Sequence, residues 1–200
     1  LIAGGPEAMF RSIEGAEDRS EDGEAMLKER GLRPGDVVLG IASSGTTPFV
    51  RGALAYAHQL GSRTIFLTCN PNIAPPVPVD VTIRLLVGPE VITGSTRMKA
   101  GTATKLVLNT ISTAAMIQLG KVYENLMVDM KAWNEKLRDR ARRIVMTLTG
   151  LDPGSAQRLL DSAQGHVKAA LVMHHLRISY DEATERLRRA DGFVRRALEA

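Results

Sequence analysis

The sequence predicts an α/β protein: a parallel sheet flanked by helices in three layers, followed by a small helical subdomain. Three observations carry this. Short apolar runs at 36–41, 63–68 and 80–87 alternate with helical patterns, the rhythm of parallel strands joined by crossovers. The first run ends in the hydroxyl-rich turn Ser43-Ser44-Gly45-Thr46-Thr47 just ahead of an amphipathic run. Beyond Gly88-Pro89 the pattern turns wholly helical.

In chain order, Leu1-Ile2-Ala3 with Gly4-Gly5 reads as the end of a buried strand and its turn, so the sequence is expected to open inside a domain. Helices are expected over 6–13 and 21–30, with Gly31 as a stop. Strand 36–41 leads to a helix over 48–60, opened by Pro48 and ended by Gly61, and then to strand 63–68. Asn70-Pro71 and Pro75-Pro76-Val77-Pro78 mark a loop before strand 80–87. Long helices follow over 95–119 and 125–148, separated near Gly120, with the lone Trp133 as a packing residue of the second. This pair would cover the sheet or form a dimer interface. Helices over 155–163, 166–176 and 180–187 and a last turn over 193–198 complete the chain. The expected division is a main domain over 1–150 and a helical subdomain over 151–200.

Two hundred residues with 44% hydrophobic content suffice for one good core and a small annex. No apolar run is long enough to span a bilayer and no signal peptide opens the sequence, so a cytoplasmic protein is expected. A single cysteine, Cys69, excludes an intramolecular disulfide framework and a cysteine-rich metal site, and it reads as a small core residue. His174 and His175 are adjacent, and side chains about 100° apart on a helix make a poor chelate, so no metal is expected. The net charge is +4, but residues 1–30 hold eight acidic against four basic side chains while residues 131–200 hold fourteen basic against nine acidic. The C-terminal arginines alternate with acids at helical spacing, which describes a solvated face and not a nucleic-acid footprint.

The turn at 43–47 reads either as a plain helix cap or as a cradle of N–H groups and hydroxyls for an anion. It lacks the lysine of a nucleotide P-loop and the three glycines of a dinucleotide fingerprint, which leaves a small phosphorylated molecule. A second hydroxyl-rich turn, Thr93-Gly94-Ser95-Thr96-Arg97-Met98-Lys99, again lies between a strand and a helix. Both would converge beyond the carboxyl ends of the strands, with Ser95 and Lys99 as candidate ligand contacts and Arg97 and Lys99 read either as positive charge for the ligand or as surface cations. Glu14, Glu17, Asp18, Glu21 and Asp22 form an acidic cluster, either a solvated face or, at Glu14 and Glu17 around Gly15-Ala16, carboxylates at a pocket rim suited to proton abstraction beside a carbonyl.

Taken together, Ile2-Ala3-Gly4-Gly5, Glu14-Gly15-Ala16-Glu17-Asp18, Gly40-Ile41-Ala42-Ser43-Ser44-Gly45, Cys69-Asn70-Pro71 and Gly94-Ser95-Thr96-Arg97-Met98-Lys99-Ala100-Gly101-Thr102-Ala103 resemble the N-acetylmuramic acid 6-phosphate etherases. So do Lys105-Leu106-Val107-Leu108-Asn109 and Gly120-Lys121-Val122-Tyr123-Glu124-Asn125-Leu126-Met127-Val128-Asp129. The resemblance is dense to about Gly150 and looser beyond. It implies the sugar isomerase (SIS) fold, usually homodimeric, and a phosphorylated amino sugar as substrate. It implies cleavage of the lactyl ether of N-acetylmuramic acid 6-phosphate to N-acetylglucosamine 6-phosphate and D-lactate, without a metal or redox cofactor. Glu17 maps onto one of the family's two catalytic glutamates, and Ser43, Ser44, Gly45, Thr46 and Thr47 onto a phosphosugar turn. The other glutamate and a first phosphate turn belong to blocks upstream in the family, so a sequence that has lost its N-terminal part is expected. Two positions depart from the family pattern, Thr46 where arginine is common and Ser43 where alanine is common. The resemblance leaves a non-catalytic phosphosugar-binding regulator as the alternative and an aldose-ketose isomerase as a weaker one.

Overall fold

The structure, a computed structural model, describes residues 1–130 and 134–199. Its contacts divide the chain into two compact units, Leu1–Val107 and Leu108–Ala200.

In the first unit, strands β1 (Val37–Ile41), β2 (Arg63–Thr68) and β3 (Val81–Arg84) form a parallel sheet in the order β1-β2-β3. Val37 stands opposite Arg63, and Ile65 opposite Val81. Helix α1 (Ser20–Glu29) packs on α2 (Pro48–Leu60), which in turn covers β1 and β2. Pro48 supplies the first turn of α2, and Gly61 ends it in the left-handed region at φ 80°. The α1–α2 crossing depends on two glycines. A Cβ on Gly23 would sit 2.1 Å from the Phe49 carbonyl oxygen, and one on Gly52 2.1 Å from the Ser20 carbonyl oxygen. Only bare backbone lets the helices approach this closely.

β2 is the buried centre of the sheet, with Thr64, Phe66, Leu67 and Thr68 inaccessible to solvent. Its two buried threonines are satisfied from the neighbouring strands' ends. Asp80 accepts from the Thr64 N–H (2.7 Å), the Thr64 hydroxyl (3.2 Å) and Arg63 (2.5 Å). The Thr64 N–H, followed by Arg63, holds the Asp80 carboxyl well below the usual carboxylate range, at about 2. The Thr68 hydroxyl donates to the Ser43 carbonyl.

Three expectations are corrected in this unit. Leu1 and Ile2 form no strand with the sheet and are 60% and 45% exposed; the Gly5 N–H closes a tight turn on the Ile2 carbonyl instead. The helix expected over 6–13 is a single 3-10 turn, Pro6–Met9. The long helix opens at Lys99, not at residue 95, because 93–98 is spent on turns around Gly94 at φ 86°. This helix, α3, runs Lys99–Gln118.

In the second unit the helix expected over 125–148 is replaced at its start by an antiparallel hairpin, β4 (Val122–Tyr123) and β5 (Leu126–Met127). Glu124 at φ 52° supplies the left-handed residue of its two-residue turn. Helix α4 is Glu135–Thr149, opened by the Asn134 side chain, which accepts the Leu137 N–H. Trp133 lies outside the described residues. Helices α5 (Pro153–Ser162), α6 (Val167–Leu176), α7 (Tyr180–Arg189) and α8 (Val194–Glu199) follow close to their expected positions. A capping box of Ser179 and Glu182 opens α7. Val128, Ile144, Val145, Leu160, Leu171 and Val194 belong to one core. Lys168, its side chain 17% exposed, bonds the Gly120 and Gly192 carbonyls and pairs with Asp129 at 3.3 Å, tying the hairpin to the helices. Burial would raise the Asp129 carboxyl, but Lys121 and Lys168 together hold it below its ordinary value. No helix among the described residues is long and apolar enough to cross a membrane.

Candidate active site

At the carboxyl end of β1 the chain turns sharply through Ala42, Ser43, Ser44 and Gly45, closed by the Gly45 N–H on the Ala42 carbonyl (3.0 Å). Gly45 stands at φ 79°, and a Cβ there would meet Ile73 at 2.5 Å and the Thr68 hydroxyl at 3.0 Å, so the turn is seated on β2 and its loop. The Ser44 hydroxyl lies 3.0 Å from that of Thr46 and accepts the Thr46 N–H at 3.2 Å. Thr47 stands at the N-cap of α2 with no side-chain cap bond. The opening N–H groups of α2 therefore lack both an intrahelical carbonyl and a cap from Thr47, as an anion site at a helix N-terminus requires.

The opposing wall is built by the short 3-10 turn Ala16–Asp18, entered through Gly15 at φ 70°. Ala16 is buried and the turn packs on α2, while Glu17 is exposed. α1 begins directly after this turn at Ser20, so the glycine crossing of α1 and α2 fixes where Glu17 stands. Glu17 and the turn residues Ser43, Ser44 and Thr47 line one cleft of about 570 Å³, together with Arg11, Ser12 and Thr96. Glu17 thus lines the same space as five hydroxyl-bearing residues, three of them in the turn, beyond the carboxyl edge of a parallel sheet, where open α/β folds hold ligands.

The other sequence-predicted residues do not line this cleft. Gly45 is buried beneath it, and Thr46, Ser95 and Lys99 are not among its lining residues. Glu90 caps α3, its two carboxylate oxygens each accepting at 3.0 Å, from the Lys99 and Ala100 N–H groups. Those two backbone bonds, Ala100 first, hold the Glu90 carboxyl below its ordinary value. The Lys99 ammonium bonds the Pro89 carbonyl (2.9 Å). The second hydroxyl-rich turn thus leads to a helix end that already carries a carboxylate. Glu14 lines a different hollow of about 510 Å³ with Gly4, Gly15 and Arg19. Burial pushes the Cys69 thiol up, against hydrogen bonds with Ser43 and Thr104, so it stays a neutral thiol.

Arg11 and Ser12 were not legible as cleft residues, because they follow the 3-10 turn with no motif around them. Arg11 is the one cation among the lining residues and pairs with Glu7 at 2.6 Å.

Fold and cleft define an α/β protein of SIS type in which a glutamate and a hydroxyl-rich turn line one cleft at the carboxyl end of the sheet. Residues 1–58 match the family model of the glucokinase regulatory protein N-terminal SIS domain. An N-acetylmuramic acid 6-phosphate etherase of Geobacillus sp. (strain WCH70) is 53% identical over 199 residues, 100% of this chain and 68% of that protein. Those of Salinibacter ruber and Pectobacterium atrosepticum are 56% and 52% identical, the chain covering 64% and 65% of their lengths. The chain belongs to the N-acetylmuramic acid 6-phosphate etherase family, with an SIS-type fold, and spans about two thirds of the length of these relatives.

Proposed function

We propose that this chain acts on N-acetylmuramic acid 6-phosphate as a carbon-oxygen lyase, releasing D-lactate and leaving N-acetylglucosamine 6-phosphate in the recycling of cell-wall amino sugars. The observation that carries the reading is the cleft shared by Glu17 and the Ser43, Ser44 and Thr47 turn. The turn takes the 6-phosphate through N–H groups and hydroxyls. In the open-chain sugar the proton on carbon 2 lies beside the carbonyl, so a carboxylate can remove it. The resulting enolate expels lactate from carbon 3, and water adds to the same carbon. Glu17 serves as an acid/base residue in this exchange, either taking the carbon 2 proton or protonating the leaving oxygen.

The test is D-lactate release from N-acetylmuramic acid 6-phosphate by this chain and by a version extended to the length of its relatives. Release by either, abolished by Glu17→Gln with phosphosugar binding retained, supports the reading. Undiminished release by the variant removes Glu17 from the mechanism. The match of residues 1–58 to a regulatory-protein domain favours a second reading, a non-catalytic phosphosugar-binding regulator. Binding of the phosphosugar without lactate release by either version would select it.

The reading includes a homodimer. Ile111, Met116, Ile117 and Leu119, on and just beyond the C-terminal half of α3, are 38–59% exposed, an apolar surface that a second copy would cover. Sedimentation as a monomer at micromolar concentration would remove this part.

A further inference from the structure

We propose that Thr68, with Asn70 beside it, is the positioning residue that shapes the anion turn from beneath. The inference rests on the reading of the turn as the phosphate cradle, and neither residue lines the cleft itself.

Thr68 closes β2 with its side chain wholly buried. Its hydroxyl donates to the Ser43 carbonyl (3.2 Å) and accepts the Asn70 N–H (3.1 Å). The Cys69 N–H donates to the same Ser43 carbonyl at 3.1 Å, so that oxygen is held by two donors from the β2 side. The Asn70 amide then donates to the next carbonyl, that of Ser44, at 3.2 Å. Asn70 is itself fixed, because its side-chain oxygen accepts the Asn72 N–H at 3.0 Å. Two consecutive carbonyls of the turn are therefore drawn onto the end of β2 and the start of its loop.

The consequence follows from peptide planarity. In a trans peptide the N–H points opposite to the carbonyl of the same unit. Holding the Ser43 carbonyl against β2 turns the Ser44 N–H to the opposite side of the turn. Without the Thr68 hydroxyl, the Ser43 carbonyl keeps the Cys69 N–H alone, and the orientation of this peptide unit is less tightly fixed. Valine keeps the shape of threonine and removes both hydroxyl bonds, to the Ser43 carbonyl and from the Asn70 N–H. Serine keeps both bonds and loses a methyl. The pair separates positioning from packing.

The experiment is titration of this chain with N-acetylglucosamine 6-phosphate and, separately, with unphosphorylated N-acetylglucosamine. Amide resonances follow binding and circular dichroism follows folding. The wild type is expected to prefer the phosphosugar by about tenfold or more. No such preference would remove the cradle, and this inference with it. Given the preference, Thr68→Val is expected to weaken phosphosugar binding about tenfold, with the neutral sugar unchanged and the Ser44 amide resonance shifted in the free protein. Thr68→Ser is expected to recover wild-type binding to within about threefold. Wild-type phosphosugar binding by Thr68→Val, or equal losses for both sugars, overturns the proposal while leaving the cradle in place. If Thr68→Val does not fold, Asn70→Ala decides: a loss confined to the phosphosugar supports the assignment, and unchanged binding overturns it.

Discussion

Replacing Gly52 by alanine places a carbon 2.1 Å from the Ser20 carbonyl oxygen, where real Cβ contacts essentially never fall below 3.0 Å. The neighbour is backbone at the start of α1, so no side chain can swing aside, and α1 must retreat by about 1 Å, a displacement that elsewhere costs on the order of 10²-fold in turnover. Alanine favours the helix over glycine by about 1 kcal/mol, while overpacking against an unyielding neighbour costs about 1–3 kcal/mol. With the contact this far inside the limit the overpacking falls at the upper end, about 2–3 kcal/mol, so a net destabilisation of about 1–2 kcal/mol follows, lowering the melting temperature by about 2–8 °C. Because α1 opens directly after the turn that bears Glu17, the retreat moves the carboxylate relative to the Ser43 turn. The assay is a thermal melt beside D-lactate release, on Gly52→Ala and on Gly35→Ala, whose added carbon would have nothing within 4 Å. Loss of stability and release in the first and neither in the second is expected. A Gly52→Ala protein with the wild-type melt and release within about twofold would refute the close-crossing account of how Glu17 is placed.

Other consequences are open to measurement. Ser44→Ala removes a hydroxyl of the turn and the acceptor of the Thr46 N–H, and should weaken phosphosugar binding about 5–10-fold with little change in turnover of the bound molecule; an unchanged dissociation constant would move the phosphate elsewhere. Asp80 has its carboxyl lowered to about 2, so the stability it contributes is present above the unfolded carboxylate range near pH 4 and is lost as pH falls through about 2. The stability gap between wild type and Asp80→Asn should therefore close on acidification across that window, and a gap constant with pH would contradict the assignment. Lys168→Met leaves the Gly120 and Gly192 carbonyls without their ammonium partner and Asp129 with Lys121 alone, a loss of about 1–3 kcal/mol by denaturant melt; wild-type stability would show that these bonds do not hold the hairpin.

What was legible in the sequence is what local chemistry decides. Pro48 and Gly61 bound α2 at the residues expected, and the β-branched and apolar run Arg63–Thr68 is the strand read from it. Residue type left two readings open for both the Ser43, Ser44 and Thr47 turn and Glu17, the family resemblance selected one for each, and the structure brings these residues to one cleft. The rest depended on distant partners. Ser95 and Lys99 do not line the cleft while Thr96 between them does, and Glu90, nine residues before Lys99, folds back to cap the helix, a cap that no local rule announces. The hairpin at Val122–Met127 is too short for periodicity to register against the helical patterns on either side. That Glu17 shares a cleft with Ser43 depends on two glycine contacts between helices, which spacing does not reveal.

The buried threonines of β2 have a consequence for folding fidelity. Thr64 bonds outward to Asp80 ahead of β3, and Thr68 bonds outward to Ser43 beyond β1, so each end of the central strand is indexed to a different neighbour. A slip of one residue in either pairing would turn the threonine to the other face and strand a buried hydroxyl without its acceptor. The bond that indexes β1 against β2 is also the bond beneath the Ser43–Gly45 turn, the proposed phosphate cradle. A chain that pairs its strands out of step therefore cannot build the Ser43–Gly45 turn in this form, so on the proposed function binding of the phosphosugar would report a correctly aligned sheet.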